Sequence, residues 1–195
     1  MVATLGQLRS QAIDTFLSLR NLLRVLKTSA AGSVRVGPGL ALSTGALLRG
    51  VEGGSVEIGR NVSIGRHVQI VARSGGLIRI GDRVSVGQGS IIIAHNEITI
   101  EADTMLAEYV TVHDQDHVYG QGSIQCSGFL TSPVHIGVGV WIGAKASILR
   151  GVTIGDRAVI GAHALVRSDV PPECLSAGIP ARILKASLSN AHSTK

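Results

Sequence analysis

The chain has 195 residues, 45% of them hydrophobic but only 3% aromatic, with 25 glycines and a formal charge of +5. That is one domain with small appendages, too short for two full catalytic domains, and a core of Val, Ile, Leu and Ala that turns every few residues suits repetitive β-structure rather than a helical bundle. The basic balance comes with no aromatic-interleaved patch or nucleic-acid motif, so no nucleic acid is expected as a partner; an anionic small ligand or a membrane surface accounts for the charge equally well.

Cys126 and Cys174 are the two cysteines and show no metal-ligand spacing, which argues against a zinc cluster or a disulfide framework and for a reducing cytoplasm. No apolar run has the form of a signal-peptide core, and none reaches about 18 residues, so export by that route and membrane spanning are not expected.

Residues 1–32 form a first segment. Leu5, Leu8, Ala12, Phe16, Leu19, Leu23 and Leu26 recur at three- and four-residue intervals, which predicts an amphipathic helix from about Thr4 to Thr28. Arg9, Arg20, Arg24 and Lys27 face the single acid Asp14 on its polar side. Such a helix suits packing against its own domain or a neighbouring subunit, or attachment to an anionic membrane surface.

From Val56 a period of six takes over. Ile58, Ile64 and Ile70 are followed after an offset by Ile80, Val86, Ile92 and Ile98, then by an unbroken run of Ile136, Ile142, Ile148, Ile154, Ile160 and Val166. Glycine commonly follows the aliphatic residue, which reads as leave for the backbone to turn. Four places on stands a second small or β-branched residue: Val62, Val68, Val84, Val140, Ala146, Val152, Ala158 or Ala164. Each hexad is then one short flat side that cannot bury its apolar residue alone. Successive coils must stack in parallel, giving a mainly β solenoid with the aliphatic column inside. The repeat domain is assigned to residues 33–185, and residues 186–195 read as a small, polar, frayed tail.

The column is interrupted once. From Val110 the next aliphatic in phase is Ile136, one hexad plus twenty residues, and an excursion of that length from a solenoid needs a function. The loop at 113–133 carries His113, Asp114, Asp116, His117 and Tyr119. Clustered imidazoles and carboxylates suit proton transfer to and from a hydroxyl. His113 and His117 are both candidate bases, and either aspartate could orient an imidazole or simply be solvated. Ala144 and Ala162 are three hexads apart, so a coil of three hexads would stack them at one corner and leave a groove fit for an extended ligand. Trp141, adjacent to the inward Ile142, should point outward.

Residues 132–185, SPVHIGVGVWIGAKASILRGVTIGDRAVIGAHALVRSDVPPECLSAGIPARILK, preceded by HDQDHVYG, resemble the hexapeptide-repeat acyltransferases, in particular the galactoside, maltose and surface-polysaccharide O-acetyltransferases. With the earlier repeats the likeness covers about 56–185. It implies a left-handed parallel β-helix, three hexads to a triangular coil, and a homotrimer with active sites between subunits. It also implies acetyl-CoA as co-substrate and a sugar or glycan-precursor hydroxyl as acceptor. Alignment to the family places the general base at His117, with His113 as the alternative. Coenzyme A contacts carry over to Ala144, Ala162, Arg167, Ser168, Arg182 and Lys185, whose cations suit the 3′-phosphate and pyrophosphate. Trp141 falls near the acceptor or thioester. Alanine at 144 departs from the serine that galactoside-type enzymes often carry, which removes a side-chain hydrogen bond there.

Two other functions fit the fold. His95 and His113 are 18 apart and His117 follows at HxxxH spacing, which sketches a three-histidine zinc site of the γ-type carbonic anhydrase kind; against it stand the VWIG and GIPAR strings. A non-catalytic trimeric scaffold is the other, and the histidine-rich loop argues against that.

Overall fold

The computed structural model describes residues 33–120 and 122–186. The helix expected at 4–28, the segment 1–32 and the tail beyond Ala186 lie outside the described residues. Strands of two to five residues build three parallel sheets that the chain visits in turn, the three walls of a prism. The first wall runs from Val34–Val36 through Ser55–Ile58, Leu77–Ile80, Glu97–Ile100 and Val134–Ile136 to Thr153–Ile154. The second contains Met105–Leu106, Trp141–Ile142 and Val159–Ile160, the third Gln69–Ala72, Ile91–Ala94, Thr111–His113 and Ser147–Ile148. Among the described residues the solenoid is already formed at Val34, a full coil before the point where its period becomes regular in the sequence.

Alternation along each strand sends one residue of each hexad inward, and Ile64, Ile70, Ile92, Ile142, Ile148 and Ile154 are wholly buried. Each contributes about 1.5–3 kcal/mol by leaving water. The second inward position is filled as expected: Val62, Val68, Ala146 and Ala158 are also wholly buried. Where a polar residue takes that place it serves the backbone. Thr104 Oγ1 donates to the Gly137 carbonyl at 2.8 Å and accepts from the Val140 amide at 3.0 Å, bridging two coils from inside the core.

The glycines after the aliphatic column are needed for room, not for turning. A Cβ on Gly143 would lie 2.6 Å from the Ala162 amide nitrogen of the next coil, although its φ is ordinary. The corner falls two residues later, where Asn61, His67, Arg83, Asp103, Tyr109, Lys145, Arg157 and His163 adopt φ of 55–61°. None of them is β-branched, as the left-handed region demands.

Coil length decides which residues stack. Val34 lies beside Val56 and Val56 beside Ile78, 22 apart; Ile78 beside Ile98, 20 apart; His135 beside Thr153, 18 apart. Ile100, not Ile98, therefore continues the column from Ile80, with Ile98 in the second inward row beside Ile78. The same holds at the interruption: Val112 is the column residue, beside Ile92 and Ile148, while Val110 is in the second row. Ile100 and Ile136 are neighbours 36 residues apart, so the excursion adds eighteen residues to a coil of eighteen, not twenty.

Candidate functional site

The excursion is a β-hairpin. Strand Gln115–His117 runs antiparallel to Phe129–Thr131, pairing Gln115 with Thr131, Asp116 with Leu130 and His117 with Phe129. A 3-10 turn at Ile124–Cys126 lies towards its tip.

Its root is fixed by Asp114, whose side chain is fully buried. The carboxylate accepts hydrogen bonds from the amides of His95 at 2.8 Å and Asn96 at 2.7 Å, and its backbone carbonyl accepts from the Ser132 amide at 2.9 Å. One residue thus ties the beginning of the excursion to its end and to the corner of the preceding coil. Asp116 accepts from Arg150 Nε at 2.6 Å, an ion pair to the following coil. Neither aspartate orients an imidazole. Their carboxylates are occupied by amides and a guanidinium that sequence separation concealed.

The two histidines sit in different surroundings. His113 ends the strand Thr111–His113 beside Ile93, half-buried, with Gln115 Nε2 3.3 Å from its Nδ1. Burial pushes its pKa below the usual histidine range, against an upward pull from Asp114 and Asp116. His117 is exposed, its ring 4.5 Å from that of Phe129, which is also 4.3 Å from that of His95. The sequence reading missed Gln115 and Phe129; for the latter a signal existed, since it is one of two phenylalanines in the chain and stands in a polar loop.

His95 and His117 both lie against the Phe129 ring, and among the described residues of a single chain no group of three or more His, Cys, Asp or Glu could hold an ion.

Trp141 lies outward between Met105 and Val159 and is 51% exposed. Ala144 and Ala162 do stack, with the His163 amide donating to the Ala144 carbonyl at 2.8 Å. Arg182 and Lys185 are exposed on Ala181–Lys185, which runs back along Leu175–Gly178 and sets Arg182 opposite Ala177, at the end of the wall that holds Trp141. Arg167 and Ser168 stand at another corner, where the register Val112, Ile148, Val166 brings His113, Leu149 and Arg167 into line on successive coils. At about 4.8 Å per coil, His113 and Arg167 are roughly 10 Å apart along the axis.

Several other arginines are committed. Arg60, Arg83 and Arg157 pair with Asp82, Asp103 and Glu173 of the next coil. Among the described residues Arg167, Arg182 and Lys185 have no such carboxylate, which leaves three cations towards the C-terminal end of the prism open to an anionic ligand. Surface grooves also run beside Arg79 and Thr99 on the first wall and beside Arg49 and Arg73 on the third.

A stacked prism of hexads with a histidine-bearing hairpin defines a hexapeptide-repeat protein, and comparison with known proteins agrees. The family described as bacterial transferase hexapeptide (six repeats) matches residues 133–168. A maltose O-acetyltransferase from Clostridium difficile 630 superimposes with a TM-score of 0.61 at 30% identity, over 66% of this chain and 68% of that one. A hexapeptide-repeat acetyltransferase of Vibrio cholerae, solved with acetyl coenzyme A, gives 0.59 at 28% identity, over 73% and 71%. The galactoside O-acetyltransferase of Escherichia coli K12 is 35% identical over 94 residues, 48% of this chain and 46% of that protein. The chain belongs to the hexapeptide-repeat acyltransferase family, whose winding is the left-handed parallel β-helix. The matched stretch spans a third to about half the length of the curated relatives.

Proposed function

We propose that the chain is an acetyl-CoA-dependent O-acetyltransferase whose acceptor is a hydroxyl of a sugar or glycan precursor. The observation that carries this reading is the hairpin, which holds an exposed imidazole, His117, on the same prism as three unpaired cations. In the proposed step the acceptor oxygen attacks the thioester carbonyl carbon while His117 takes the hydroxyl proton. The new C–O bond forms, the C–S bond breaks, and the proton passes from His117 to the departing coenzyme A sulfur. No acyl-enzyme is required. Ala144 and Ala162 leave space for the pantetheine arm, Arg167, Arg182 and Lys185 attract its phosphates with Ser168 beside them, and Trp141 walls the reacting end.

Relatives named maltose and galactoside O-acetyltransferase support the acceptor class, and the Vibrio protein with bound acetyl coenzyme A supports the donor. Three copies in a homotrimer, with sites in the clefts between them, complete the arrangement. Among the described residues no helix is long and apolar enough to cross a membrane; a cytoplasmic enzyme, with the 4–28 segment against a subunit or the inner membrane face, fits that.

The test is release of coenzyme A thiol from acetyl-CoA across a panel of sugars, nucleotide sugars and amines. Acceptor-dependent release with a hydroxyl compound, abolished by replacing His113 and His117 together, is expected. Arg182→Ala should raise KM for acetyl-CoA by one to two decades, the worth of a charge-assisted contact of about 1.5–3 kcal/mol, and change that for the acceptor little. Release with amines alone would refute the O-transfer reading, and release from the double variant would refute the histidine base.

A further inference from the structure

We propose that Gln115 is a positioning residue that holds His113 in the tautomer with its proton on Nε2, so that His113 is a hydrogen-bond donor in the site and cannot be its base. The Gln115 carboxamide nitrogen is 3.3 Å from His113 Nδ1. Its oxygen Oε1 is buried, and among the described residues no donor reaches it. Two orientations of that amide are conceivable, and their costs differ. As placed, the NH2 group donates to Nδ1 and one carbonyl oxygen is left unpaired. Reversed, the oxygen would accept from an Nδ1–H, and an NH2 group with two donors would be buried where Oε1 now lies. Orphaned N–H groups are rarer in native structures than under-satisfied carbonyl oxygens, and two of them cost more than one acceptor.

With the Nδ1 lone pair engaged, the single proton of the neutral ring must be on Nε2. Burial of His113 opposes the doubly protonated ring. The charges that act on it, Asp114 and Asp116, are engaged by the amides of His95 and Asn96 and by Arg150, so no carboxylate competes for Nδ1. A ring in this state has no free lone pair with which to take a proton, whereas the Nε2–H can be offered to an oxygen of the acceptor or of the thioester. That division leaves the proton transfer to His117. The use made of the donor rests on the acyl-transfer reading; the tautomer does not.

Nitrogen-15 labelling of the histidines in the full chain, read by long-range proton–nitrogen correlation at neutral and mildly alkaline pH, tests the tautomer directly. The expected spectrum of His113 has an unprotonated Nδ1 and a protonated Nε2. Gln115→Glu puts an acceptor where a donor stood and should move the proton to Nδ1, while lowering kcat for acyl transfer by about tenfold or more with the KM for acetyl-CoA unchanged. An Nδ1–H signal for His113 in the wild-type protein overturns the proposal without recourse to any variant, and so does an unaltered tautomer in a folded Gln115→Glu protein. The expected spectra in a protein that acylates no hydroxyl would uphold the tautomer and refute the proposed function instead.

Discussion

Along the prism walls Ile142, Ile148 and Ile154 are wholly buried and recur every six residues, whereas in the excursion at 113–133 Asp114 is the one described residue that is fully buried, and Ile124, Phe129 and Leu130 are exposed. The walls exchange backbone hydrogen bonds with a coil on either side; the hairpin has one antiparallel partner strand and a root. Stability and the proposed chemistry therefore fall to different residues. Asp114 is where the two meet, because the same carboxylate belongs to the fold and to the placement of the histidines.

The sharpest way to break that contrast is His117→Ala. As the proposed base on an exposed position, its loss should lower kcat by about 10²–10⁴ and leave the midpoint of thermal unfolding unmoved. A shift in Tm comparable to that of a core substitution would show that hairpin and wall are not separable. Asp114→Ala should do both kinds of damage. It takes the charged acceptor from the amides of His95 and Asn96, a loss of about 1.5–3 kcal/mol for hydrogen bonds to a charged group, and it frees the hairpin root, so hydrogen exchange in 115–132 should quicken and activity fall. Full activity with only a lowered Tm would confine Asp114 to the walls.

Within the walls, Gly143→Ala should cost about 1–3 kcal/mol, because its Cβ meets backbone of the next coil that cannot step aside. Gly139→Asn, at a left-handed corner (φ +66°) where an added Cβ meets only the Arg157 Cγ at an ordinary 3.6 Å, should be close to neutral. Equal losses in denaturant titrations would mean that both glycines serve the turn. The smallest effect is one of pH. Burial depresses the His113 pKa, so the unfolded chain binds more protons between the folded value and about 6.5. Stability should hold above that window and decline as pH falls through it. His113→Asn should flatten the decline; an unchanged profile would assign it to other groups.

Much of this was legible in the chain. Six-residue spacing exposes the inward column because alternation and coil closure are local, and a gap in that spacing reveals an insertion wherever it occurs. The phase at the gaps was not. Ile98 and Val110 keep a six-residue interval yet lie in the second inward row, since a coil of 20 or 22 residues shifts the column by two to four places and short aliphatic runs offer either phase. The role of the glycines was misplaced for a related reason. A glycine in a repeat advertises a missing Cβ, and only the neighbouring coil shows whether space or dihedral freedom requires it.

By itself, then, the sequence determined the stacked solenoid, the place of the excursion and the outward Trp141, which follow from separations within a regular repeat, while the triangular coil that stacks Ala144 on Ala162 came from the family resemblance. Tertiary structure decided what surrounds each histidine: Gln115 on His113, Phe129 against both His95 and His117, Asp114 on the amides of His95 and Asn96. Those contacts depend on the side-chain directions and pairing register of a hairpin, and on an irregular coil length that brings residue 114 against residues 95 and 96, and neither has a local period from which it could be read.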